Sequence, residues 1–88
     1  MKIDPDRLSN IDLREASNAA MAVIDATQIR FSKEAQLVGL CAAFRIIAED
    51  QGLSVPDLMG RVTTIMNWAD GRRPEFAAVQ AYVREELN

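Results

Sequence analysis

The sequence predicts an all-α protein, a compact bundle of about four helices spanning roughly residues 11–31, 33–51, 55–70 and 74–87 behind a short N-terminal turn. Apolar residues recur at the 3.6-residue spacing that only a helix brings to one face. Capping residues and helix-ending glycines stand where those patterns start and stop. No segment alternates with the period of two of a half-buried strand, and nothing is repeated or of low complexity. Eighty-eight residues hold one core, so residues 1–88 are expected to form a single helical domain.

Taken in order, Asp4 caps a short turn with Pro5 at its first position, and Ser9 or Asn10 offers the next N-cap. A long helix then starts near Ile11. Its Leu13, Ala16, Ala20, Val23, Ile24 and Phe31 fall on one face, with a narrower stripe of Ala19, Ala22, Ala26 and Ile29 beside it. Small residues at that spacing let another helix approach closely. Ser32 caps the second long helix, with Glu34 in its first turn. Leu37, Leu40, Cys41, Phe44, Ile47 and Ala48 make a full stripe there, and Val38, Ala42, Ala43 and Ile46 make most of its circumference apolar. A helix apolar all round belongs in a core, so this one is expected at the centre, ending at Gly52. Gly39 here and Gly60 in the next helix imply close helix contacts, since glycine inside a helix otherwise costs about 1 kcal/mol.

Ser54, Val55, Pro56 and Asp57 form the best-marked helix start in the chain. Leu58, Val62, Ile65, Met66 and Ala69 line the inner face of that third long helix, and Asp70-Gly71 stops it. After the basic loop Arg72-Arg73, Pro74 opens the last helix, whose Phe76, Val79, Val83 and Leu87 supply the buried edge.

Composition narrows the chemistry. Ten Lys and Arg against thirteen Asp and Glu give a net charge of −3 with the signs interleaved, so no strong field points toward nucleic acid or anionic lipid. No apolar run approaches the roughly 18–20 residues of a membrane span. The N-terminus lacks the charged start and apolar middle of a signal peptide, and Cys41 is the only cysteine; both suggest the cytoplasm. Histidine is absent, which removes the commonest general base and metal ligand. One cysteine cannot build a zinc site, and glycines at 39, 52, 60 and 71 assemble no phosphate loop. The pairs Glu49–Asp50 and Glu85–Glu86 are helix neighbours that diverge. Cys41 reads as a buried small hydrophobe, and Arg45 must reach water or a carboxylate. Neither an enzyme, a cofactor, a metal nor a small-molecule substrate is expected.

What remains is surface. The stripe of Ala19, Ala22, Ala26 and Ile29, with Met21 off both stripes, exceeds what one small core needs. Met59 and Trp68 flank the inner face of the third long helix in the same way. These residues are candidates for binding a protein partner or a second copy, and a homodimer through the first long helix would bury its small-residue stripe twice. On that reading Ala22→Glu abolishes association and leaves helicity intact. Small acidic helical chains of this kind are common among bacterial and phage accessory proteins, where the expected role is an adaptor or inhibitor docked on a larger protein.

A different reading starts from Gly52-Leu53-Ser54, continues through Ile65-Met66-Asn67-Trp68-Ala69-Asp70-Gly71-Arg72-Arg73-Pro74, and ends in the helix with Val79 and Tyr82. This succession resembles the later half of a repressor-type helix-turn-helix domain, which places a tryptophan, an acid and a glycine after the recognition helix. The resemblance covers residues 52–88 and rests on common residues; between Leu53 and Trp68 the chain is about five residues shorter than that pattern. It implies a DNA-binding transcriptional regulator, with Arg61, Thr64 and Asn67 toward bases or phosphates and Arg72 and Arg73 on the backbone.

Overall fold

Capping side chains set most of the helix boundaries. In the computed structural model, which describes residues 2–87, Asp4 accepts a hydrogen bond from the Asp6 amide at 2.9 Å and starts α1, Pro5–Ser9. The cap of α2, Leu13–Gln28, is neither Ser9 nor Asn10 but Asp12, whose carboxylate accepts from the Glu15 amide at 3.0 Å. Ser9 instead closes α1, and the Asn10 side chain donates back to the Asp6 carbonyl. Ser32 starts α3, Lys33–Asp50, accepting from the Ala35 amide at 3.1 Å. Because that cap requires extended backbone, the chain must leave the α2 helix before Ser32, so α2 ends at Gln28 rather than continuing to residue 31. Gly52, at φ +69°, turns the chain after α3 in the left-handed region that glycine enters freely. Ser54 then caps α4, Val55–Met66.

The third long helix is shorter than its pattern suggests. Asn67 leaves the helix at φ −128°, ψ 153°, and residues 67–72 form a hairpin of two tiny antiparallel strands. These are β1, Asn67–Trp68, and β2, Gly71–Arg72, with Asn67 opposite Arg72 and Trp68 opposite Gly71. Gly71 at φ +127° permits the tight reversal, and the Arg73 amide donates to the Met66 carbonyl at 2.8 Å to close it. Ala69 and Asp70 are therefore turn residues. Pro74 opens α5, Pro74–Glu86, in the first helical turn where its missing amide hydrogen is not needed.

The result is an all-α bundle carrying one short hairpin. Helix α2 packs against both α3 and α5, and α3 touches α4. Two polar ties cross these seams. The buried Gln36 on α3 donates to the Ile24 carbonyl at 3.0 Å and to Thr27 Oγ1 at 2.8 Å on α2. From α5, the Tyr82 hydroxyl donates to Asp25 Oδ1 at 3.0 Å and lies 3.1 Å from Gln28 Oε1.

The bundle is flat and thinly cored. Its extents are 35 × 32 × 19 Å, so it is about two helix diameters thick. The radius of gyration is 13.6 Å, against about 12 Å for a compact chain of this length. Among the described residues only Ala48, Phe76, Ser17 and Gln36 are buried.

Helix α3 is consequently not the central helix that its apolar circumference predicts. Gln36, Leu40, Phe44 and Ala48 form the arc turned inward, while Val38 and Ile46 are 67% and 65% exposed. Cys41 is exposed rather than buried. A Cβ added at Gly39 or Gly60 would meet nothing within 4 Å, so neither glycine marks a close contact inside the chain. The centre is absent because a flat arrangement gives α3 neighbours on one side only.

Candidate functional site

The stripe expected on the first long helix is a solvent face of α2. Residues 19, 22, 26 and 29 fall within about 80° of arc at 100° per residue, opposite the inward Leu13, Ser17 and Ile24. Ala19, Ala22 and Ala26 are exposed, and Ile29, at the C-cap, is 87% exposed. The arc also carries Glu15, which dilutes it, and Asn18 borders it. Met21 is not part of this face: it is half-buried, bordering a shallow depression against Pro74 and Ala78 of α5. Met59 on α4 and Trp68 on β1 are each about half exposed, on elements other than α2.

The residues implied by the helix-turn-helix resemblance are committed elsewhere. Arg61 donates to Ser9 Oγ at 2.9 Å, tying α4 to α1. Thr64 Oγ1 donates to the Gly60 carbonyl at 3.2 Å and the Asn67 amide group to the Thr63 carbonyl at 2.8 Å, both back onto the last turns of α4. The Arg73 guanidinium carbon lies 5.8 Å from the centroid of the Trp68 ring, within cation–π range. Arg73 Nε is buried with no hydrogen-bond partner on the protein. Arg72 is exposed on β2 opposite Asn67. The hairpin thus brings Asn67, Trp68, Arg72 and Arg73 together, but no cluster of cations results, and Arg61 belongs to a different contact.

Helices α2, α4 and α5 splay around an open apolar groove of about 590 Å³. Ile24, Ile65, Phe76 and Val83 are among its walls, and Arg72 and Gln80 are the polar side chains at it. It has the size of a ligand pocket but not the converging polar groups that fix a substrate. Among the described residues no three of Cys, Asp and Glu gather as a metal-binding group. Arg45 pairs with Glu49 on its own helix at 3.4 Å, both side chains exposed, so the cation inside the apolar stretch reaches a carboxylate without leaving α3. The titration that stands out is that of Tyr82: partial desolvation, then the hydrogen bond to Asp25, push its phenol above the ordinary 10.0.

Sequence reasoning missed the outer face of α3. In the arc from Ala42 through Ala35, Ile46 and Gly39 to Ala43, the one charged side chain is the terminal Asp50, and Glu49, paired with Arg45, stands between this arc and Val38. The signal was present as apolarity all round the helix, but that pattern was read as burial. Comparison of the chain with family models, with curated proteins and with solved structures finds no match.

Proposed function

We propose that this chain is a non-enzymatic helical interaction module, acting by contact with a protein surface, either its own or that of a larger partner. The observation that supports the reading most is surface area. A folded chain of 9.8 kDa is expected to expose about 5,200 Å², whereas this one exposes 6685 Å². Val38, Ile46, Leu37 and Ile29 are among the large apolar side chains left exposed, and large apolar patches on a small domain mark contact sites. Candidate faces on this reading are the outer arc of α2 around Ala22 and the Met59 and Trp68 region. A small domain gains the core it lacks by covering such faces.

Helicity, a dye that lights up on exposed apolar surface, and thermal melting over a range of concentrations test the reading together. We expect a folded chain that either binds the dye or melts at a temperature rising with concentration. A dye-dark monomer with a sharp, concentration-independent transition would remove it.

One observation favours the DNA-binding alternative: α3, the turn at residues 51–54, α4 and the hairpin follow one another as helix, turn, helix and wing. The charge distribution opposes it, since a protein neutralising several phosphates needs clustered cations and this chain is acidic. A salt-sensitive mass gain with duplex DNA would favour that alternative.

A further inference from the structure

We propose that the groove between α2, α4 and α5 binds a free fatty acid, its hydrocarbon chain between the helices and its carboxylate at Arg72. The proposal does not rest on the contact-module reading, since the groove lies on the side of α2 away from the exposed stripe around Ala22.

The groove is the place where the core of this chain is incomplete. Helix α5 packs along α2, but α4 makes its main helix contact with α3, so its apolar side faces α2 and α5 across a gap. Val62 and Ile65 of α4 line one wall, Ala20 and Ile24 of α2 another, and Phe76 and Val83 of α5 the third. A cleft so lined offers water too few polar partners and is filled best by an apolar guest.

Dimensions narrow the guest. From Ala16 to Ile24 the α2 wall runs about 12 Å, and 590 Å³ spread over that length is a channel about 8 Å across. A helix with its side chains is about 10–12 Å thick, too wide to enter, whereas a single polymethylene chain fits.

Charge sets the end group. The chain has thirteen Asp and Glu against ten Lys and Arg, yet no acid lines the groove, and its one charged lining residue is Arg72. Arg72 is exposed, stands in no ion pair among the described residues, and precedes Phe76 by four residues, at the end of the groove where α5 begins. Glu75 borders a separate depression, with Met21. A carboxylate at Arg72 stays at the edge of the water while its tail runs along α5 toward Val83. Gln80 is the one other polar side chain at the groove, which suits a guest with a single polar end.

The test is calorimetric titration of the full chain with octanoate, decanoate and decanol, each kept below the concentration at which it aggregates. The native chain is compared with Ala20→Phe, which fills the groove, with Arg72→Gln, and with Ala22→Glu on the far side of α2; each is checked for helicity. One decanoate per chain is expected, with octanoate weaker by about fourfold for each methylene removed. Ala20→Phe should abolish binding and Ala22→Glu should leave it unchanged. Arg72→Gln should weaken decanoate about threefold, as loss of an exposed ion pair does, and leave decanol as it was. If Ala20→Phe loses its helicity, Arg72→Gln and the chain-length series decide. Non-saturating uptake, or binding that survives a folded Ala20→Phe, would overturn the groove as the site. Equal weakening of decanoate and decanol by Arg72→Gln, or of neither, would overturn the carboxylate assignment. A native chain that ignores decanoate but sediments with vesicles of a zwitterionic phospholipid would overturn the proposal in favour of a bilayer surface.

Discussion

Along the seam of α2 and α5, Phe76 is 7% exposed and Tyr82 reaches across to Asp25, whereas α3, the more apolar helix, leaves Val38 and Ile46 about two-thirds in water. Burial here follows the supply of neighbours, not side-chain type. Helix α5 gathers its large apolar side chains Phe76, Val79 and Val83 on one arc, so the seam with α2 covers them; α3 is apolar round most of its circumference, and α2 and α4 cover only the arc of Leu40, Phe44 and Ala48. The packed seam carries the fold of one chain, while the surface of α3 is available to something outside it.

The largest expected effect lies on the packed side. Replacing Phe76 with alanine should lower stability in urea by about 3 kcal/mol, because among the described residues the ring is the one large apolar side chain that is buried. A loss below about 1 kcal/mol would mean that the seam is as loose as α3 and would break the contrast. Next comes Gln36→Ala, which leaves the Ile24 carbonyl without its side-chain donor and should cost about 1–3 kcal/mol. Amide exchange at the α2–α3 junction would show whether α3 alone loosens.

Gly39→Ala sharpens the comparison at smaller magnitude. In dilute solution, with α3 bare, the added methyl meets nothing and should raise stability by about 0.5–1 kcal/mol through helix propensity. The same measurement at high concentration tests for a contact over Gly39, which the methyl would crowd so that the gain is lost. Equal gains at both concentrations would keep α3 in water throughout.

The smallest effect is on the alkaline side. The Tyr82 phenol is held above 10.0 in the folded chain, so the unfolded chain loses its proton first as pH rises. Its contribution is complete below the unfolded value and disappears as pH climbs through the folded one. Stability should therefore fall above about pH 10, and Tyr82→Phe should flatten that part of the profile. An unchanged profile would detach α5 from Asp25.

Much of the fold was legible because it is local. Ser32, Ser54, Pro74 and Gly52 do what their types do at helix ends, and the segments they bound are helices. The hairpin was hidden because two-residue strands are too short to show a period, and Asp70-Gly71 reads equally as a helix stop or a hairpin turn. Gln36 gave no signal either: a glutamine one turn inside a helix looks like surface until Thr27 and the Ile24 carbonyl are placed beside it. The width of the apolar face of α3 was visible, but periodicity counts no neighbours, so Cys41 and Gly39 were assigned surroundings that one flat chain does not supply. Of the candidate surfaces, the α2 stripe of Ala19, Ala22, Ala26 and Ile29 is exposed, while Met21, set off that stripe in the sequence, is half-buried.

The hairpin also gives the molecule its own optical gauge. Trp68 is the sole tryptophan, half in water, with the Arg73 guanidinium against its ring. Its emission belongs to β1 alone, so a partner settling on the hairpin shifts the colour toward blue, while events confined to α3 leave the spectrum where it was. Fluorescence on the unlabelled chain therefore distinguishes the two faces by wavelength.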